Sequence, residues 1–224
     1  MKSALNRRRF LASGLAGALC AISGSSVSAA LAGGMFSRPL AGSSVVSSFA
    51  SCLFLFEDQM PLALRRAIDT ELDGIDVTPG KFADERPRAE FFAWLAVRCI
   101  VPLNLRRAGY DALAVDCQNQ NDLWNASLAS AGAQHTIGKE HRGCRLMPRL
   151  AGSAYGACAH AATAAFYARA EEIETVTETG HYCARALLQS IGDEDADVTE
   201  APWIWDFAVS AINTAAGLGA VETR

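Results

Sequence analysis

Three of the four histidines in this chain lie within three residues of a cysteine: His141 with Cys144, Cys158 with His160, and His181 with Cys183. Imidazole and thiolate are the ligands that zinc or copper prefers. Residues two apart on a helix point to nearly opposite sides, so neither Cys158 with His160 nor His181 with Cys183 can face one ion from a regular helix. His141 and Cys144, three apart in a stretch without helical pattern, can chelate together if another helix adds a third ligand. That is one reading, a metal- or cofactor-binding protein whose cofactor the sequence does not specify. A second makes Cys117 the nucleophile of a cysteine hydrolase with His135 or His141 as its base. Cys117 falls inside a helical apolar seam, however, and not at a helix start, where its pKa would be lowered.

A third chemistry is recognition. The segment from His135 to Arg149 collects Lys139, Arg142, Arg145 and Arg149 against Glu140 alone, with Gly138 and Gly143 as backbone hinges. Such a loop can bind an anion or dock on an acidic partner surface. The competing explanation pairs its arginines with nearby acids such as Glu171 and Glu172. There is no Cys-x-x-Cys, His-Glu-x-x-His, Gly-x-Ser-x-Gly, phosphate loop or dinucleotide fingerprint, so the chain leans away from carrying its own catalytic apparatus.

The elements that must position these groups are helices. Half the residues are apolar. They recur at helical spacing and form no alternating β-branched runs, which predicts an all-α single-domain bundle of about six or seven helices. The first helix spans about Ser44 to Phe56 and is apolar on most sides. The second begins at Pro61 and ends at Asp73, and a loop with Pro79 and Gly80 follows. The third, capped by Asp84, carries Phe91, Phe92, Trp94, Leu95, Val97 and Ile100 and is expected to be central; Pro102 should kink or end it.

The fourth helix, Asp111 to Ala131, aligns Leu113, Cys117, Trp124 and Leu128. The fifth, Arg149 to about Glu174, is rich in alanine and glycine, with a seam of larger residues at Tyr155, Phe166 and Ile173. The sixth runs from His181 to Ile191 before an acidic connector, Asp193 to Glu200. The last starts near Pro202 and aligns Ile204, Ala208 and Ile212, with Trp203, Trp205 and Phe207 beside them.

The N-terminus is an address. A basic region precedes an apolar one from Leu11 to Ile22, then small polar residues lead to Val27-Ser28-Ala29, the layout of a cleavable signal. Cleavage is expected after Ala29, with Ala32 the second choice, leaving one helical domain from residue 30 to 224. Removing residues 1–29 takes away Lys2, Arg7, Arg8 and Arg9, so the formal charge moves from −4 to −8. An acidic chain with one short basic cluster argues against a nucleic-acid partner. Glycines and serines interrupt the apolar run, so no stable membrane span is expected after cleavage. Six cysteines would remain, an even number that permits a disulfide in an oxidising compartment.

Asn6-Arg7-Arg8-Arg9-Phe10-Leu11 resembles a twin-arginine (Tat) signal, in which paired arginines, any residue, Phe and Leu follow one another. It departs from the pattern at Asn6, where Ser or Thr is usual, and at Ala12, where Lys is common. The resemblance implies the Tat translocase as export partner, a periplasmic or otherwise exported location, and passage across the membrane in the folded state. Cargo of this kind often carries a cofactor or rides with a cofactor-carrying enzyme. The expected role is therefore an exported binding or accessory protein, such as the small subunit or maturation partner of a larger periplasmic redox enzyme. Replacing Arg7 and Arg8 by Lys should hold the precursor in the cytoplasm, scored by fractionation and the size of the accumulated chain; undiminished export would point to the general secretory route.

Overall fold

The computed structural model describes residues 44–54, 66, 82–144, 146–190 and 202–218. Their helices are α1 (Val45–Phe54), α2 (Phe82–Leu95), a π turn (Ala96–Ile100), α3 (Val101–Arg107), α4 (Asp111–Gln118), α5 (Leu123–Glu140), α6 (Arg149–Tyr167), α7 (Ile173–Leu188) and α8 (Pro202–Leu218). With α2, the π turn and α3 counted as one continuous rod, the described residues hold seven helices and no strand. The all-α expectation holds. Apart from Arg66, which is helical, the helix expected from Pro61 lies outside the described residues, as do the signal, the loop at Pro79 and the acidic connector.

The rod is central, as its aromatic content predicted, and it touches every other helix of the described residues. Phe92 is fully buried and stacks on Phe49 of α1 at 4.6 Å between centroids, with Phe91 edge-on to Phe92 at 5.5 Å. Pro102 does not end the helix. Proline lacks an N–H and its ring crowds the carbonyl four residues back. Here the preceding turn widens so that Val101 N–H reaches the Ala96 carbonyl. Gln118 Nε2 donates to the Arg98 carbonyl at 3.4 Å. The buried Asn104 amide donates to the Ile100 carbonyl at 2.9 Å and to Ser190 Oγ at 2.7 Å, tying the rod to the end of α7. The rod ends at Gly109, with φ +87°, where Gly109 N–H bonds the Arg106 carbonyl and Tyr110 N–H that of Leu105.

Three boundaries differ from those expected. Helix α2 starts at Phe82, which places Asp84 inside its first turn and not ahead of it. The single helix expected from Asp111 to Ala131 is two, because Asp122 turns extended and its carboxylate caps α5 by accepting from Asn125 N–H at 2.9 Å. The helix expected from Arg149 to Glu174 stops at Tyr167, and α7 begins at Ile173, a full two turns before His181. Arg86 marks that break by donating to the carbonyls of Ala168 at 3.1 Å and Ala170 at 2.7 Å.

The Ala/Gly-rich α6 buries its small face, Ala151, Ala154, Ala157, Cys158, Ala161, Ala164 and Ala165, while Tyr155 and Phe166 face outward. Trp124 and Leu128, expected in the seam of the fourth helix, are about half exposed; Ala126, Ser130, Ala133 and Ile137 are the inward residues. In α8, Ile204, Ala208 and Ile212 are fully buried, as their spacing predicted.

Helix α1 packs closely on α7. A methyl group on Gly180 would lie 1.9 Å from the Val45 carbonyl oxygen and 2.8 Å from Phe49 N, so α1 is seated backbone against backbone. Gly180→Ala should therefore destabilise by at least about 3 kcal/mol, the upper part of the range for overpacking. Gly132→Ala, on the exposed side of α5 with open space around it, should instead gain about 0.5–1 kcal/mol. Denaturant midpoints of the two variants check the contrast; equal effects would remove the close approach.

Candidate functional site

Lys139 lies in the last turn of α5, and Arg149 is the first residue of α6. The stretch from His135 to Glu140, expected as loop, is helical, and only 141–148 connects the two helices. The extension follows from the inward positions Ala133 and Ile137, which continue the buried stripe of α5. The connection closes with Cys144 N–H on the His141 carbonyl at 3.1 Å, with Gly143 at φ +90° supplying the turn. Arg145 lies outside the described residues.

Several helix ends meet here. Tyr110 Oη and His141 Nε2 are 3.2 Å apart. Loss of solvent, and then the Glu140 carboxylate, push the Tyr110 phenol above its ordinary value. Arg107 donates to the Ser190 carbonyl at 2.8 Å, closing the C-terminus of α7. Burial, and then repulsion from Arg149, lower the pKa of Arg107, which places the two guanidinium groups near one another. Helix α6 starts after Pro148 without a side-chain cap. Lys139, Arg142 and Arg149 are exposed, and Leu146 is 84% and Leu150 43% exposed beside them. The two leucines were not singled out in the sequence, although a Leu-Met-Pro run between arginines is the signal that could have found them.

The acids expected to neutralise this end, Glu171 and Glu172, sit beyond the opposite end of α6. Its 19 residues span about 28 Å at 1.5 Å each. They cannot pair with the basic cluster. Arg169, near those acids, instead stacks its guanidinium over Trp124 at 4.9 Å, in a second exposed apolar region that includes Leu128 and Phe166.

The thiols fare differently from the basic residues. All six cysteines of the described residues are free, and only Cys144 is exposed. Cys117 is fully buried, and burial pushes its thiol up to about 11; Ser130 beside it lowers the value and Asp116 raises it. A nucleophile needs a thiolate and a path for substrate, and Cys117 has neither. His135 lies on the exposed side of α5, while Ser130, the residue beside Cys117, is buried, and His141 is engaged by Tyr110. The structure thus gives Cys117 as a buried thiol and His135 as an exposed side chain. For His141 and Cys144, no group of three His, Cys, Asp or Glu side chains among the described residues is placed to hold an ion.

The other histidines share a different surface. His160 and His181 both lie near Tyr182, at ring distances of 6.2 and 5.4 Å. Burial, followed by the charges of Arg185 and His181, lowers His160 to about 4. No protein-family model, curated protein or solved structure matches this chain.

These environments set the pH range of stability. The core thiols bind protons more tightly folded than unfolded, since burial raises Cys52 to about 11 and Cys99 to about 12 from 9.0. Their contribution is full below pH 9 and is lost as pH rises through those values. His160 has the opposite sign: its folded pKa is depressed, so its contribution is full above 6.5 and is lost as pH falls toward about 4. Denaturant midpoints should therefore be level between pH 6.5 and 9 and fall on both sides, with Cys117→Ala softening the alkaline fall. An alkaline limb indifferent to that substitution would mean the thiol is not buried as described.

Proposed function

We propose that this chain is an exported helical binding or accessory protein that docks, through the end where α5 meets α6, onto an acidic surface of a larger partner. The observation that carries the reading is a cluster of positively charged residues at the junction of α5 and α6. Lys139 and Arg142 are exposed there and Arg149 opens α6, in a chain that is otherwise acidic, with Glu140 the single acid between residues 135 and 149. The arginines meet the uncapped N-terminus of α6, whose dipole favours the same negative partner groups. A carboxylate there would cap the helix and screen the repulsion between Arg107 and Arg149. Leu146 and Leu150 supply the apolar contacts that hold such a docked surface once charge has steered it into place.

The export reading rests on the paired arginines and apolar segment of the first 29 residues. A partner of redox type follows from the twin-arginine resemblance alone. No helix of the described residues is long and apolar enough to cross a membrane.

Replacing Arg142, exposed in the α5 to α6 connection, and Arg145 by Ala tests the docking end. Thermal stability should move by about 0–1 kcal/mol at most. Association with the partner that co-purifies from the exported fraction should weaken, and its dependence on salt should flatten. Normal binding by the folded double variant would remove this end from recognition.

A further inference from the structure

Five of the six cysteines in the described residues are buried, each in a helix, and none is disulfide-bonded. They fall into two groups drawn from distant parts of the chain. Cys183 of α7 lies within electrostatic reach of Cys99 in the π turn and Cys52 of α1, and Cys158 of α6 lies within reach of Cys117 of α4. Burial is the main cause that keeps these thiols protonated. The packing around them is tight. Cys117, Cys158 and Cys183 have no exposed surface at all, and the α1 to α7 contact that covers Cys52 tolerates no added methyl.

In the unfolded chain every one of these thiols is open to exchange. A disulfide-donating oxidoreductase of an oxidising compartment is attacked by one cysteine thiolate, which forms a mixed disulfide and releases one thiol of the oxidant. A second cysteine then displaces the other, so the chain loses two protons and two electrons and the oxidant's disulfide is reduced to a dithiol. With six cysteines there are fifteen complete pairings, and the folded core contains none of them.

We propose that the five core thiols are what the folded export route protects: the chain folds where cysteines stay reduced and arrives in the oxidising compartment with those thiols already sealed. This rests on the export reading above. It requires no cofactor to account for folded passage. Cys144, exposed in the α5 to α6 connection, is the one described thiol left open to exchange.

The test exchanges residues 1–29 for a general secretory signal and compares the exported product with that of the native signal in the same host. Thiols are counted by alkylation and mass spectrometry, before and after denaturation without reductant. The native product should show one reactive thiol when folded and six when denatured. The exchanged product should show fewer than six when denatured and unfold at lower temperature, and a host lacking the periplasmic thiol oxidase should restore both values. A disulfide within the five core cysteines of the native product overturns the proposal. So does an exchanged product that emerges from the oxidising host with six thiols and native stability. The Arg7 and Arg8 substitutions report separately on the route: if they leave export intact, the export reading fails, whereas the thiol counts judge the protection itself.

Discussion

The arrangement depends on the missing side chain at Gly180. Because α7 presents bare backbone there, α1 can lie directly on it, with the Val45 carbonyl and Phe49 amide at the contact. That placement brings Phe49 onto Phe92 and aims the N-terminus of α1 at α2. The buried Glu85 then accepts from Val45 N–H at 2.8 Å and from Arg88 at 2.7 Å. A carboxylate with no exposed surface costs several kcal/mol to desolvate unless it is paired. Here it gains a guanidinium and the positive end of a helix together. Ser44 and Ser47 complete the start of α1 reciprocally, each hydroxyl accepting the other's N–H at 3.1 and 3.0 Å.

Cationic side chains close three of the other helix ends. Arg86 serves the end of α6, Arg107 the end of α7, and Arg98, stacked at 4.0 Å on Trp94, donates to the Gln120 carbonyl just after α4. Each meets carbonyls at the negative end of a helix dipole or in the turn beyond it. Arginine is suited to this because its planar fork reaches two carbonyls at once, as Arg86 does. The charges near residues 139–149 have a different setting: Arg149 sits at a helix N-terminus, where the dipole opposes it. Recognition of an acidic surface would relieve that opposition, whereas removing Arg86 would open a helix end.

Helix type and the central rod were legible in the sequence because they depend on period and bulk: Phe92, Ile204 and Ile212 are buried where their spacing put them. Helix breaks were less legible. At Asp122 the polar run from Asn119 carried the signal, yet the apolar seam through Trp124 and Leu128 could be drawn across it. At Tyr167 no glycine or proline marks the end, and the break is fixed by Arg86 from a helix some eighty residues earlier in the chain, which no local pattern contains. Pro102, expected to kink or end the helix, does not end it, for the same reason. Its penalty is absorbed by a widened turn and by Gln118, a partner from another helix. In α6 the spacing showed a seam of larger residues beside a small-residue surface open to close approach, and it is the alanines that are buried.

That preference for small residues links the packing to the chemistry. A helix bundle whose interfaces are built from alanine and glycine has short distances between axes and little room for branched side chains. Cysteine fits such a gap, being near alanine in size with a polarisable sulfur. Cys117, Cys158 and Cys183 are fully buried in this small-residue packing. Their chemistry is therefore a by-product of their volume, and it becomes a liability only where an oxidant can reach them. Sealing them by packing answers that liability only for a chain already folded when it meets the oxidant. On the proposed export route, the same small-residue contacts that allow α1 and α7 to close would require folding to precede transport.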